Sequence, residues 1–264
     1  MKVNIFTNDS RPFDDSRKMR LVEALNNEGV ETTDADNADI IVSFGGDGTF
    51  LRAARKFGPL GRTILGVNAG RLGYITAASA DDFEAIARAL ASGKFNDECR
   101  TMLKVDTSID VGSVELVALN EVSLQKHDSA SMISSMVSLD GHELANYVGD
   151  GLIIATPTGS TGYNLSVGGP ILEPSAPIFV ISPIAAHSLS LRPLVVADSS
   201  TIRITTYSRS GNYLLSVDGE SVTMPTESQI SVGLAPFRLK VAYLPDYHFA
   251  DVLRRKLLWG VDKR

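Results

Sequence analysis

The sequence predicts two domains of different class, an α/β N-terminal domain followed by an all-β, sandwich-like C-terminal domain, with one further helix closing the chain. Three observations carry this reading. Strand-like and helix-like patterns alternate through Gly93. Short strands then succeed one another with scarcely any helical spacing, and helical periodicity returns from Phe249 to Trp259. Alternation of this kind calls for a parallel sheet with helices on its faces. A run of short strands punctuated by turn pairs calls for a sandwich. The expected boundaries are 1–95, 96–245 and 246–264, with the last segment returning to the first domain to bury its apolar stripe.

Each element follows from local pattern. Val3 to Thr7 reads as a strand. Ser16 to Glu28 reads as a helix with Met19, Val22 and Leu25 on one side, stopped by Gly29. Ala38 to Phe44 and Ile64 to Asn68 are short apolar runs rich in Ile and Val, as in strands buried on both faces. Thr49 to Phe57 is helical between them, and Phe83, Ile86, Ala87, Leu90 and Ala91 fall at helical spacing before Gly93. These strands and helices make the first domain a Rossmann-like parallel sheet.

In the second domain, Leu103 to Ile109 and Val114 to Leu124 read as strands. Asp140-Gly141 and Asp218-Gly219 each sit at the centre of a hairpin pattern, because that pair accepts positive φ. Ile178 to Ile184, Leu194 to Val196, Thr201 to Tyr207, Gln229 to Val232 and Phe237 to Tyr243 supply further strands. In the final helix Val252, Leu253, Lys256 and Leu257 share one side, and Trp259 reads as a packing residue.

The bulk numbers narrow the function classes. A chain of 264 residues supports two modest cores without disulfide or structural metal. Its net charge of -6 lacks the basic footprint that nucleic-acid binding needs, so no nucleic-acid partner is expected. Small anions remain compatible, since backbone dipoles bind phosphate even in an acidic protein. Cys99 is the single cysteine, which removes internal disulfides and multi-cysteine zinc sites and agrees with a reducing compartment. Met1 to Thr7 runs directly into a strand pattern, and no segment reaches the roughly 18 apolar residues of a membrane span. A cytosolic location with no membrane partner is the expectation. His127, His142, His187 and His248 lack metal-ligand spacing, and no carboxylate cluster reads as a metal cage.

Three segments carry the chemistry. Gly45-Gly46-Asp47-Gly48-Thr49 lies between a buried strand and a helix, where ligands bind in open parallel sheets. Glycines let backbone N–H groups approach phosphate, and the helix N-terminus favours an anion there. A carboxylate in that turn repels phosphate, so Asp47 makes sense as an acceptor for the proton of an attacking hydroxyl. The alternative is a tight turn in which Asp47 merely caps the helix. Asn68-Ala69-Gly70-Arg71-Leu72-Gly73-Tyr74 repeats the arrangement after the next strand, either as support for the site or as an ordinary loop. Gly149-Asp150-Gly151 and then Thr156 to Pro170 form the third segment, a polar wall suited to sugar hydroxyls, base edges and phosphates. Tyr163 offers a flat face for stacking. Prolines at 157 and 170 oppose its reading as a flexible linker. Asn120-Glu121 interrupts an apolar run and alone carries little.

Together these segments resemble the NAD kinase family along nearly the whole chain. The family pattern is Gly-Gly-Asp-Gly-Thr, Asn-x-Gly-x-Leu-Gly-aromatic, a short Asn-Glu or Asn-Asp, Asp-Gly, Thr-Pro-Thr-Gly-Ser-Thr-Ala-Tyr, and often a closing aromatic–Leu-Arg-x-Lys-Leu. Gly45 to Thr49, Asn68 to Tyr74, Asn120-Glu121, Asp150-Gly151, Thr156 to Tyr163 and Val252 to Leu257 are the corresponding segments here. Gly162 stands where Ala is usual, Glu220 where Gln is common, and Val148 where a basic or polar residue is common. The resemblance implies phosphoryl transfer from ATP to the adenosine ribose 2′-hydroxyl of NAD, with the site between the two domains. It also implies a homodimer or homotetramer whose subunits share part of the NAD pocket.

Position by position, the resemblance makes Asp47 the general base and Gly45, Gly46 and Gly48 the phosphate-proximal turn, with Arg52 meeting phosphate. Asn120 and Glu121 contact the adenosine. Thr158, Thr161, Gly162, Tyr163, Asn164, Leu165 and Ser166 line the pocket, and Asp150 and Ala185 lie near the nicotinamide end. Mg²⁺ is expected to bind chiefly through the nucleotide phosphates. A lipid kinase would share the Asp47 turn but needs a membrane-docking surface and leaves Thr156 to Ser166 unexplained. A regulator that binds NAD(P) without chemistry would use the same wall, yet would gain affinity by losing Asp47.

Overall fold

The computed structural model describes residues 1–7, 15–69, 73–75, 78–79, 82–128 and 131–260. The chain divides into two compact units, 1–99 with 239–264, and 100–238.

In the first unit Glu31–Thr32, Lys2–Phe6, Ile40–Gly45, Thr63–Asn68, Leu239–Tyr243 and Asn96–Arg100 lie side by side in that order, with Ala78–Ser79 also paired to Thr63–Asn68. The central pairings are parallel: Val3 faces Ile40, Ile40 faces Thr63, and Lys240 faces Thr63 on its other edge. Ile40–Gly45 is buried along its whole length, as its unbroken apolar run requires. Helix Asp47–Phe57 connects it to Thr63–Asn68 and buries Phe50, Ala53, Ala54 and Phe57. Helix Phe83–Ser92 buries Phe83, Ile86, Ala87 and Leu90 and ends on Gly93 at φ 65°. Ala91, expected on that stripe, is exposed. The buried stripe of helix Asp15–Asn27 is Leu21, Ala24 and Leu25, whereas Met19 is 64% exposed. At 3.6 residues per turn Leu21 and Leu25 share a face, and Met19 lies well round from it.

The second unit holds two six-stranded antiparallel sheets. One runs His142–Gly149, Ile133–Leu139, Ile202–Ser208, Gln229–Leu234, Leu103–Thr107, Val117–Ala118. The other runs Leu194–Ala197, Ile178–Ile184, Gly151–Ala155, Glu121–Lys126, Asn212–Val217, Glu220–Pro225. Period-2 alternation sends Ile133, Val137, Ile202, Ile204, Ile230 and Val232 from the first sheet into one core. Val122, Leu124, Leu152, Ile154, Phe179, Ile181, Leu215 and Val217 of the second sheet meet them there. The all-β, sandwich-like reading of this part of the chain holds. Both turn pairs behave as their composition demands, with Asp140 and Gly141 at φ 51° and 85° and Asp218 and Gly219 at φ 46° and 85°.

Several elements differ from their local reading. Val114 to Leu124 is two strands, broken at Leu119-Asn120, because backbone N–H groups there turn to the Asp218 carboxylate instead of a ladder. Phe237 to Tyr243, read with the β domain, becomes Leu239–Tyr243 of the parallel sheet. Strand composition does not name a partner, and a segment so far along the chain gives no local cue that it returns. Thr156 to Pro170 contains a 3-10 turn at Thr158–Thr161 and a short helix at Tyr163–Ser166. Trp259 is 59% exposed, beyond Leu258 at φ 53°, and is not a packing residue. No helix among the described residues is long and apolar enough to cross a membrane.

Candidate active site

The centre of the first unit is the Asp47 carboxylate. Ile40–Gly45 delivers the chain to the sheet rim, and Gly46, extended at φ -92° and ψ -174°, caps helix Asp47–Phe57. The helix therefore starts two residues earlier than Thr49, because Thr49 N–H and Phe50 N–H both donate to the Gly46 carbonyl. Gly45 is glycine for room: a β-carbon there would lie 2.3 Å from Thr49 Oγ1. Gly46 and Gly48 are exposed, with open space where a side chain would be. Their backbone is thus free to approach an anion at the helix N-terminus.

The loop after Thr63–Asn68 fixes the carboxylate. Tyr74 N–H donates to Asp47 Oδ2 at 2.7 Å and Ile75 N–H to Oδ1 at 3.2 Å. Each oxygen accepts one N–H from this loop, which orients the carboxylate. Residues 70–72 of the second glycine turn lie outside the described residues. Tyr74 also faces the C-terminal helix: Lys256 Nζ is 5.5 Å from its ring centroid, and Tyr74 Oη donates to the Lys256 carbonyl at 3.5 Å. Burial, with the Asp47 charge as a second cause, pushes the Tyr74 phenol up. Burial pushes the Lys256 ammonium down to about 8, opposed by the Asp47 charge. Arg52 is exposed on the Asp47 helix. Five positions from Asp47 place it roughly 140° round the axis, so it shares the helix but not the face.

The second unit builds a polar wall around Asn120-Glu121. Asp218, at the tip of its hairpin, accepts Leu119 N–H at 2.7 Å, Asn120 N–H at 2.8 Å and Glu121 N–H at 3.1 Å, and its own N–H returns to the Glu121 carbonyl. Thr156 donates from Oγ1 to Leu119 O and from N–H to Asn120 O, docking the Thr156–Gly159 corner on the same turn. A β-carbon on Gly159 would sit 2.1 Å from Asn120 O. Asn120 Oδ1 and Glu121 Oε2 are buried with no hydrogen-bond partner among the described residues, so each is an acceptor that a ligand donor could use. Burial first, then the Asp218 charge, raises Glu121 to about 7, against a lowering contribution from Tyr163 N–H. A β-carbon on Gly162 would come 3.0 Å from Glu121 Oε2, so the glycine standing in place of alanine makes room for the glutamate.

The remaining wall residues divide by role. Thr158 accepts a hydrogen bond from Arg100 and is buried, whereas Thr161, Gly162, Tyr163 and Leu165 are half-buried and Ser166 is exposed. Tyr163 packs on the cluster of Ile153, Ala155, Val180 and Ile184. Asn164 is fully buried and spent inside the loop, donating to Ser160 O and Pro170 O and accepting from Ser182 Oγ. Asp150 pairs with Lys126 at 2.7 Å, and its N–H donates to Ile184 O beside exposed Ala185, whose φ is 46°. Asp150 and Ala185 therefore occupy one corner.

Local reading overlooked Gly73, Tyr74 and Lys256 as parts of the Asp47 centre, and Asp218 as the anchor of Asn120-Glu121. Their motifs were visible, but nothing in a linear pattern shows which loop a side chain reaches. No group of acidic, His or Cys side chains among the described residues forms a metal cage.

Residues 5–95 match the family model of the ATP-NAD kinase N-terminal domain, and residues 119–242 match that of the ATP-NAD kinase C-terminal domain. The chain is 44% identical over 236 residues to a Porphyromonas gingivalis protein named NAD kinase, covering 89% of this chain and 81% of that one. A Bacteroides fragilis NAD kinase is 41% identical over 242 residues, covering 91% and 83%. Among solved structures, an Archaeoglobus fulgidus NAD kinase in complex with ATP aligns with TM-score 0.75 at 28% identity, over 97% of each chain. Yeast NADH kinase complexed with NADH aligns with TM-score 0.87 over 100% of this chain and 89% of that one. At 22% identity that likeness speaks to the fold.

Proposed function

The chain belongs to the ATP-NAD kinase family, and we propose that it transfers the γ-phosphoryl group of ATP to the adenosine ribose 2′-hydroxyl of NAD, with Asp47 as general base. Relatives named NAD kinase at about 40% identity over most of the chain support the reaction. The observation that carries the role of Asp47 is its carboxylate, held by two consecutive backbone N–H groups at a helix N-terminus beyond a buried parallel strand.

In the step, the 2′-oxygen forms a bond to the γ-phosphorus as the bond to the ADP oxygen breaks, and the hydroxyl proton passes to Asp47. A loose transition state asks the protein mainly for position and charge. Proton removal by a placed base is worth about 10²–10⁴ in rate. The exposed backbone of Gly46 and Gly48, with Gly45 behind it, lies toward the phosphates, and Arg52 adds charge nearby on the same helix. Asn120 and Glu121 hold the adenosine, with Thr158, Thr161, Gly162, Tyr163, Leu165 and Ser166 as the surrounding wall. Asn164 supports that wall from inside, and Asp150 with Ala185 forms the nicotinamide end. Mg²⁺ arrives with ATP, held through the phosphates. A cytoplasmic homodimer or homotetramer is the assembly the family resemblance supports.

The test is NADP formation by the purified protein with MgATP and NAD, beside Asp47→Ala. Product from the wild type and almost none from a folded variant supports reaction and base together. Equal product from both removes Asp47 from the mechanism. NAD binding without product from either would favour a non-catalytic NAD(P)-binding regulator.

A further inference from the structure

Lys256 lies on helix Phe249–Leu257, in the closing Leu-Arg-x-Lys-Leu stretch to which the reaction above assigns no task. Its ammonium nitrogen is enclosed and makes no hydrogen bond among the described residues. A buried cation without a hydrogen-bonding anion is costly, and proteins retain one where a ligand completes the pair. The groups facing it are the Tyr74 ring, 5.5 Å from Nζ, and the Asp47 carboxylate, whose charge it feels. On its own helix Arg254 pairs with Asp251.

The geometry couples these groups through one residue. Tyr74 holds Asp47 Oδ2 with its N–H and lies against Lys256 with its ring. The unpaired ammonium therefore belongs to the same centre as the base, in the same unit of the chain. An anion of the right class is what this centre is read to receive, at a helix N-terminus with open glycine backbone.

We propose that Lys256 is a second catalytic residue, its ammonium contacting an oxygen of the phosphoryl group in transfer while Asp47 takes the hydroxyl proton. The proposal rests on the kinase reading. Charge in a loose transition state spreads over the equatorial oxygens, where a fixed cation in a water-poor site stabilises it most. The plain alternative is a structural lysine that only packs on Tyr74.

The experiment compares wild type, Lys256→Met and Lys256→Arg. Its readouts are kcat and KM against pH, NAD affinity, thermal midpoint, and binding of tripolyphosphate by calorimetry. Methionine keeps the apolar stem and removes the charge. It is expected to lower kcat by about 10²-fold and tripolyphosphate affinity by about tenfold, with NAD affinity and thermal midpoint unchanged. Arginine restores most of kcat. Wild type loses rate as pH rises past about 8, where Lys256 deprotonates, and the arginine variant does not. Lys256→Met with wild-type kcat and wild-type tripolyphosphate binding overturns the proposal. So does a lowered thermal midpoint with no rescue by arginine, which marks a structural residue. Tripolyphosphate binding that depends on Lys256 in a wild type that makes no NADP sinks the kinase reading while the anion contact stands.

Discussion

A β-carbon on Gly73 would lie 1.9 Å from Asp47 Oδ1 and 2.4 Å from its Cγ, so the absence of a side chain at Gly73 is the space the Asp47 carboxylate occupies. The next two residues donate their N–H groups to that carboxylate. A glycine thus makes room for the carboxylate, and the backbone that follows orients it.

Gly73→Ala should therefore act as a catalytic substitution although it touches no substrate. Moving a reacting group by an ångström costs about 10²-fold in rate. A kcat lowered by about that factor, with an unchanged circular dichroism melt, is the expected outcome. Steady-state kinetics beside thermal unfolding checks it, and wild-type kcat would mean that Asp47 tolerates the shift.

Glu121 links pH to stability. Burial, then the Asp218 charge, raises its folded-state pKa from the ordinary 4.5 to about 7, so the folded chain holds the proton more tightly. Its stabilising contribution is complete below about 4.5 and is lost as pH rises toward 7. Glu121→Gln mimics the protonated form. It should match wild type near pH 4.5 and exceed it by roughly 3 kcal/mol at pH 8. Urea unfolding at the two pH values measures this, and a variant less stable at pH 8 would show the ionised form to be well accommodated.

Asp218 positions the Asn120-Glu121 turn, proposed above to contact adenosine, since its carboxylate holds three successive N–H groups at Leu119, Asn120 and Glu121. Asp218→Asn leaves one acceptor oxygen for three donors. Hydrogen bonds to a charged group contribute roughly 1.5–3 kcal/mol each, so NAD affinity should fall by at least about tenfold. Calorimetry with NAD gives the affinity, and tripolyphosphate binding, expected to be unchanged, separates the wall from the phosphate centre.

Asn164 predicts a loss of stability in place of a loss of contact. Its amide joins Ser160, Pro170 and Ser182, and Gly169 is glycine because a β-carbon would come 2.0 Å from Asn164 Oδ1. Asn164→Ala leaves the buried Ser160 carbonyl and Ser182 hydroxyl and the part-buried Pro170 carbonyl short of a partner and should cost about 2–4 kcal/mol. The denaturation midpoint reports it. A stable variant with weakened NAD binding would instead return Asn164 to the ligand wall.

Much of this was legible in the linear pattern because it depends on short-range physics. Buried strands announced themselves as unbroken Ile and Val runs, and Ile40–Gly45 is buried throughout. Asp-Gly pairs made hairpins because only a few residues accept positive φ there, as at 140–141 and 218–219. The Gly45 to Thr49 turn was readable because glycines beside a carboxylate mark the passage from a buried strand into a helix start.

The rest was settled by contacts between residues far apart in sequence. Strand Leu239–Tyr243 has ordinary strand composition, and only the free edge of Thr63–Asn68 decides where it pairs. Asp218 looked like a turn residue and is one, yet its carboxylate also organises a turn about a hundred residues earlier. Lys256 looked like one face of a terminal helix until Tyr74 and Asp47 were placed near it. By itself the sequence determined the fold class, the two turn pairs and the helix start at the glycine-flanked Asp47, because periodicity and backbone preference act within a few residues. Tertiary structure alone decided which buried polar atoms were left unpaired, because that depends on every neighbour the fold brings near.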